Sequence, residues 1–231
     1  MDSGEQNKQK KTLFSIRAVA FDLDETLFSR RKSFQSLLLD WVGDQVDELS
    51  LVEIIKKDEH GYFPRDAFFE WLAGFINSEK TGETLKAEFM DKFPDHIRLQ
   101  SRNSDLLSEL EKRGYSLALL SNGSSKLQRK KLKATGLEKY FPQDRIFISG
   151  ELNADKPDPS VFLTLAKSLG YKPSEILYVG DHWENDVKGS EYIGMKSAWV
   201  SLGRDIPSGQ NNKVLVIDDL YELLAHLPCN V

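Results

Sequence analysis

The stretch AVAFDLDETLFSRR, residues 18–31, carries the reading that decides the fold. An apolar run ends abruptly at Asp22 and Asp24, with a single leucine between them. Residues two apart on a strand face the same way, so the two carboxylates share a face. At the C-terminal end of a buried parallel strand they point into the crevice where open α/β sheets bind ligands. Two like charges held there are costly unless a cation lies between them or one is protonated. The pair therefore serves as oxygen ligands for a magnesium ion, or as a nucleophile with an acid/base partner, or it is a solvated strand end.

Working outward, similar apolar runs recur at Tyr115–Ser121, Arg145–Ser149, Ile176–Asp181, Ser197–Val200 and Lys213–Ile217, after the first at Ile16–Asp22. Most are continuous rather than alternating, which fits parallel strands covered on both faces. Helical segments lie between them. Asn103–Lys112 places Leu106, Leu107 and Leu110 on one side, Ser124–Ala134 is a basic amphipathic stretch closing at Gly136, and Pro159–Ser168 opens on proline and ends before Gly170. Strand and helix alternating in this way predict an α/β fold with a parallel sheet.

One interval breaks the alternation. From Ser29 to about Pro94 there is no strand signal, only the aromatic, amphipathic segments SFQSLLLDWV, ELSLVEIIKK, RDAFFEWLAGFI and TLKAEFMDKF. These predict four short helices, too long a segment for a simple crossover and placed where a lid over the crevice would sit. The expected division is a lead at 1–12, a discontinuous Rossmann-like core at 13–29 and 95–231, and a helical cap at 30–94. Within the cap, Trp41, Phe68, Phe69, Trp71 and Phe75 are expected to form a core. Arg30, Arg31, His60, Tyr62 and Arg65 are the candidates to reach a substrate.

Composition narrows the function classes. The chain has 231 residues, 40% hydrophobic and 29% charged, enough for a packed core and too apolar for global disorder. A net charge of −5 gives no general attraction for nucleic acid or acidic membranes. The single cysteine, Cys229, cannot form an internal disulfide and suits a reducing compartment. The polar, lysine-bearing start MDSGEQNKQKK reads as a disordered lead without the apolar centre of a signal peptide. The expected setting is the cytoplasm, with a small soluble ligand and a monomer or homodimer.

Three further motifs carry chemistry. In LALLSNGSSK, Ser121 ends a strand, and Asn122 and Gly123 turn the chain into a helix whose N-terminal amides form an anion site, with Ser124 or Ser125 capping it. In NADKPDPSVF, a proline-stiffened loop holds Lys156, which offers an ammonium to a phosphate or a carboxylate. In ILYVGDHWENDVKGSEYIGM, Asp181 ends a strand after Gly180, and Asp186 follows beside Asn185 near a helix start; both are plausible metal ligands.

Taken in order, Asp22-x-Asp24-x-Thr26, Ser121-Asn122-Gly123, Lys156-Pro157 and Gly180-Asp181 with Asn185-Asp186 resemble the four motifs of the haloacid dehalogenase superfamily, over almost the whole chain. The helical insert is similar in position to that family's type-1 cap. The resemblance implies a sheet of order 5-4-1-2-3 and phosphoryl transfer through an aspartyl-phosphate. In it Asp22 is the nucleophile and Asp24 the proton carrier. Thr26, Ser121, Asn122 and Lys156 bind phosphate. Mg²⁺ is held by Asp22, the Asp24 main-chain carbonyl and Asp181, with Asp186 acting from outside the direct ligands or through water. The acid at position 24 favours a phosphatase or sugar phosphomutase over a dehalogenase, and the presence of all the motif residues speaks against a non-catalytic binding module. The cap favours small phosphoesters over phosphoproteins. Glu25 stands where many members of the family carry glycine.

Overall fold

The structure, a computed structural model, describes residues 13, 15–43, 47–209 and 214–229. The expected lead at 1–12 and the first residue of the last apolar run, Lys213, lie outside the described residues. In chain order the elements are β1 (Ala18–Phe21), α1 (Arg30–Val42), α2 (Glu48–Asp58), α3 (Arg65–Phe75), α4 (Gly82–Lys92), α5 (Ser101–Lys112), β2 (Ser116–Ser121), α6 (Ser125–Thr135), β3 (Ile146–Ile148) and the single turn α7 (Ser149–Leu152). Then come α8 (Pro159–Leu169), β4 (Ile176–Gly180), a π-helical turn (Trp183–Lys188), the short α9 (Gly189–Tyr192), β5 (Lys196–Val200) and β6 (Leu215–Ile217).

All six expected strands form, and every pairing is parallel. The order is β3-β2-β1-β4-β5-β6. Seen from the other edge this is the expected 5-4-1-2-3, extended by a sixth strand beside β5. The chain reverses its direction of travel between β1 and β4, so the crevice beyond their carboxyl ends is the topological switch point. Asp22 and Asp181 follow directly on those two strands.

Strand β1 shows why the sheet is buried on both faces. Val19 and Phe21 join a large core with the helices of the insert, through Phe34, Phe68, Phe89 and Phe93. Ala18 and Ala20 point the other way and meet α8 through Val161, Phe162 and Leu165. Period-two alternation thus appears as two different apolar sets, large on one face and small on the other. Helix ends follow local chemistry. Ser124 caps α6, with its hydroxyl accepting from Leu127 N, and Gly136 closes the helix in the left-handed region at φ 66°. Asp158 caps α8 ahead of Pro159, and Gly170 ends it at φ 71°.

The four helices expected between β1 and α5 are α1 to α4. Phe68 and Phe69 are buried, and Trp41, Trp71 and Phe75 pack half-buried against them. A buried charge cluster ties three of these helices together. Asp58, at the end of α2, accepts from both terminal nitrogens of Arg30 and, at 2.7 Å, from Arg65 Nη1. Burial opposes ionisation of Asp58, but the two arginines outweigh it and hold the carboxyl below its ordinary value.

That depression has a testable sign. A carboxyl whose folded value is lowered adds stability above its unfolded value, and the gain is lost as pH falls through the folded one. Replacing Asp58 by asparagine should cost about 3–5 kcal/mol at neutral pH, because two buried guanidinium groups lose their partner. Urea unfolding of both proteins should show that gap constant near neutrality and narrowing below about pH 4. A gap that is small at pH 7, or independent of pH, would contradict the assignment.

Candidate active site

Lys156 is the hub of the strand ends. Its buried ammonium donates to Asp22 Oδ1 at 2.6 Å, to Asp186 Oδ1 at 2.7 Å and to the Tyr178 hydroxyl at 3.0 Å. Three N–H donors meet three acceptors, so the charge is fully satisfied despite only 4% exposure. Desolvation works against it, yet Asp186 and Asp22 raise its pKa well above the ordinary lysine value. Asn122 fixes the loop that carries it: its amide donates to Lys156 O at 3.0 Å and accepts from Lys156 N at 2.8 Å. The Asn122 side chain is therefore engaged with the lysine backbone.

The like charges that end β1 do not share one cation. Asp22 has Lys156, while Asp24 has a lysine of its own. Lys131 Nζ donates to both carboxylate oxygens of Asp24, at 2.8 and 2.7 Å, and Gln128 Nε2 adds a bond of 2.9 Å. Gln128 and Lys131 lie three residues apart on α6, both almost fully buried. The same Gln128 nitrogen reaches Ser121 Oγ at 2.6 Å and Asn122 O at 3.0 Å. One helix thus links the hydroxyl at the end of β2 to the second carboxylate of β1. Burial would raise the pKa of Asp24, but Lys131, Arg30 and Gln128 together lower it, so Asp24 is an ionised carboxylate rather than a protonated one.

Asp22, Asp181 and Asp186 form the group suited to a metal ion, with one oxygen of each lying within 4.8 Å of the others. Burial, helped by Asp186 and Asp24, pushes Asp22 up to about 7 against the pull of Lys156. Burial, then Asp186 and Asp22, pushes Asp181 up to about 8, with Arg204 opposing. Acids crowded in this way call for more positive charge than Lys156 brings, and an all-oxygen donor set suits a hard divalent cation such as Mg²⁺. The residues fit the metal. The Asp24 side chain stands apart from this group, turned to Lys131. Asp186 is oriented on both oxygens, since Oδ2 accepts from His182 N at 2.9 Å. Gly180 makes the packing possible, because a Cβ there would collide with the Asp186 carboxylate.

Above these groups lies a cavity of about 820 Å³. Asp22, Asp24, Ser121, Asn122, Lys156, Asp181 and Asp186 line its floor, and Arg30, His60, Tyr62 and Arg65 line the side formed by the insert. Thr26 is not among the lining residues; its hydroxyl is buried without a hydrogen-bond partner. Arg31 lines a neighbouring cavity instead. Tyr62 bridges to the core, accepting from Asn185 Nδ2 at 2.9 Å and packing edge-on against His182. Glu25 has a local role: at φ 58° it sits in the left-handed region and its carboxylate accepts from Arg31 N and from Ser29 Oγ, at the first turn of α1.

Sequence reading missed Gln128, Lys131 and Arg204. Arg204 follows β5 and donates to Asp181 O at 2.7 Å and Asp181 Oδ2 at 3.2 Å. A usable signal existed only for α6, where Gln128 and Lys131 occupy the same face as the apolar Leu132.

Comparison with known proteins places the chain in a family. The family model described as haloacid dehalogenase-like hydrolase matches residues 19–200. The chain is 38% identical to a phosphoserine phosphatase of Thermus thermophilus over 145 residues, spanning 63% of this chain and 57% of that enzyme. It is 30% identical to the N-acylneuraminate-9-phosphatase of Mus musculus, across 95% of this chain and 98% of the relative. Among solved structures, a HAD phosphatase from Thermococcus onnurineus superposes with a TM-score of 0.62 at 28% identity, covering 90% of this chain and 96% of that one. The four strand-end motifs, the switch-point crevice and a family match across most of the length lead to one conclusion: the chain belongs to the haloacid dehalogenase-like hydrolases.

Proposed function

We propose that the chain is a Mg²⁺-dependent phosphatase that hydrolyses a small phosphorylated metabolite through an aspartyl-phosphate on Asp22. The observation that carries this reading is the pairing of each strand-end carboxylate with its own lysine, Asp22 with Lys156 and Asp24 with Lys131. Phosphatase names among the relatives support it. A haloacid dehalogenase releases a halide, which needs no proton, so an oriented second carboxylate favours a phosphoester.

In this reading Asp22 attacks phosphorus in line with the leaving oxygen; the Oδ–P bond forms as the ester P–O bond breaks. Asp24, ionised in the free protein, must take up a proton as the phosphoester binds; it delivers that proton to the leaving oxygen and then takes one from the water that hydrolyses the acyl phosphate. Lys131 and Gln128 keep its carboxylate aimed. Lys156 holds Asp22 in position and offsets the repulsion between an anionic nucleophile and an anionic phosphate. Ser121 offers its hydroxyl to a phosphate oxygen, and Asn122 acts by fixing the Lys156 loop. Asp22, Asp181 and, directly or through water, Asp186 would hold the divalent cation, together with the Asp24 carbonyl. When bound, that cation supplies further charge neutralisation at the phosphoryl group.

The corresponding organisation is a core at 13–29 and 95–231 with a cap at 30–94, working in the cytoplasm as a monomer or homodimer. The test is phosphate release from p-nitrophenyl phosphate. Turnover with Mg²⁺ should fall by about 10²-fold or more in EDTA and return on adding the metal back. Metal-independent turnover would overturn the cation assignment. A panel of sugar phosphates isomerised with little release of phosphate would replace the phosphatase by a phosphomutase.

A further inference from the structure

Gln128 is a buried amide where two strand ends meet. It is 1% exposed, sits on α6 and lines the cavity beside Ser121 and Asp24. Its nitrogen has three acceptors in reach: Ser121 Oγ at 2.6 Å, Asp24 Oδ2 at 2.9 Å and Asn122 O at 3.0 Å. An ionised carboxylate and a carbonyl can only accept, so the amide must turn its NH₂ toward them. Two hydrogens serve the three, and the two shortest contacts are to Ser121 and Asp24. Gly123 permits this placement, since at φ 136° a Cβ there would stand 3.2 Å from Gln128 Cδ.

Each contact makes a choice for its partner. Because Ser121 Oγ accepts from Gln128, its own hydrogen is directed elsewhere. Among the described residues its acceptor is Asn122 O at 3.5 Å, beyond the ordinary length of a hydroxyl bond. The hydroxyl hydrogen is therefore kept for an anion in the cavity. Asp24 is divided in a similar way. Oδ2 accepts from Lys131 at 2.7 Å and from Gln128 at 2.9 Å, while Oδ1, among the described residues, accepts from Lys131 alone at 2.8 Å. Lys131 straddles both oxygens and does not distinguish them. Gln128 does, because it fills Oδ2 and leaves Oδ1 with a free lone pair.

Resting on the phosphatase reading above, we infer that Gln128 is a positioning residue shared by the two ends of the phosphoester bond. It turns the Ser121 hydroxyl toward the phosphoryl oxygens and fixes Asp24 so that Oδ1 meets the leaving oxygen. An amide carries no charge, so it orients both groups without altering the charge balance that Lys131 and Lys156 set. Hydrogen bonds in a chain also polarise one another. When Ser121 donates to a phosphoryl oxygen, its Oγ becomes a stronger acceptor for Gln128. Occupancy of the phosphate site thus tightens the hold on the same nitrogen that orients Asp24.

Two esters of nearly equal shape test this, p-nitrophenyl phosphate and phenyl phosphate, each with Mg²⁺. Nitrophenolate leaves with little help from an acid, whereas phenolate, the stronger base, needs the proton. Gln128→Met keeps the side-chain length and removes the donors. It should lower kcat/KM by about tenfold for p-nitrophenyl phosphate, through Ser121, and by about 10²-fold for phenyl phosphate, through Ser121 and Asp24 together. Inhibition by inorganic phosphate, which has no leaving group, should weaken by about tenfold. In a Ser121→Ala background that weakening should disappear while the difference between the esters remains. Gln128→Asn withdraws the amide by one methylene and should give the same split, which keeps the test open if the methionine variant fails to fold. Equal losses on the two esters, or unchanged inhibition by phosphate, would overturn the shared role and leave the phosphatase reading intact. Release of phosphate from neither ester by the wild-type protein would remove both readings.

Discussion

Asp22→Asn yields a folded protein whose phosphate release falls by about 10³-fold or more, because an amide cannot form the acyl phosphate. The substitution keeps the shape of the side chain and an oxygen able to accept from Lys156 at the position now 2.6 Å away. It also removes one of three acids crowded within 4.8 Å of each other. Asp22 and Asp181 are pushed up to about 7 and 8 by that crowding and by burial, so relieving it lowers the electrostatic strain of the metal-free protein. Thermal unfolding without metal should therefore show a midpoint equal to or above that of the wild type, alongside the loss of turnover. Opposite movement of activity and stability is the mark of a residue retained for chemistry. Wild-type turnover in the variant would exclude Asp22 as the nucleophile.

Lys156→Met should have the reverse profile, losing stability and activity together. The ammonium neutralises two carboxylates that are themselves buried, and methionine leaves both without a counter-charge. Breaking a buried pair costs about 3–5 kcal/mol, which for a chain of this size lowers the unfolding midpoint by about 10 °C. Turnover should drop by about 10²–10³-fold, the usual loss when one charged donor is removed from a phosphoryl site. The two losses separate with metal. Added Mg²⁺ brings positive charge back beside Asp22 and should recover part of the midpoint without restoring the rate. A variant as stable as the wild type in the absence of metal would show that Lys156 does not carry the charge balance of the site.

The architecture was legible because its signals are local. Apolar runs bounded by turn residues give the six strands, and proline, glycine and serine positions give the limits of α6 and α8 to within a residue or two. The strand-end motifs were legible for the same reason, since Asp22, Ser121 and Asp181 each end a strand in the linear text. What escaped was pairing at a distance. Lys131 contacts an acid 107 positions away, and in a stretch reading SKLQRKKLKAT it is one lysine among four. Only its place on the face of Leu132 separates the buried one from the others. Arg30 lines the cavity, but its guanidinium is held by Asp58, a partner 28 positions on that the linear pattern does not mark. Asn122 was expected at a phosphate; its amide is spent on the backbone of a residue in another loop. Thr26 sits inside the right motif but its hydroxyl is enclosed rather than open to the cavity. Polar side chains in a buried site are placed by partners that the linear pattern does not mark.

The left-handed turn at Glu25 has a mechanical consequence. Holding a residue with a side chain at φ 58° costs about 1–2 kcal/mol relative to glycine, and a capping carboxylate returns about 1 kcal/mol. The exchange is nearly even for stability, but not for stiffness. Glycine would leave the turn free to swing, whereas Glu25 clamps the amide of Arg31, six residues further on. The loop that carries Asp22 and the first turn of α1 are thereby joined through the Glu25 carboxylate, so a displacement of α1 would be transmitted toward Asp22.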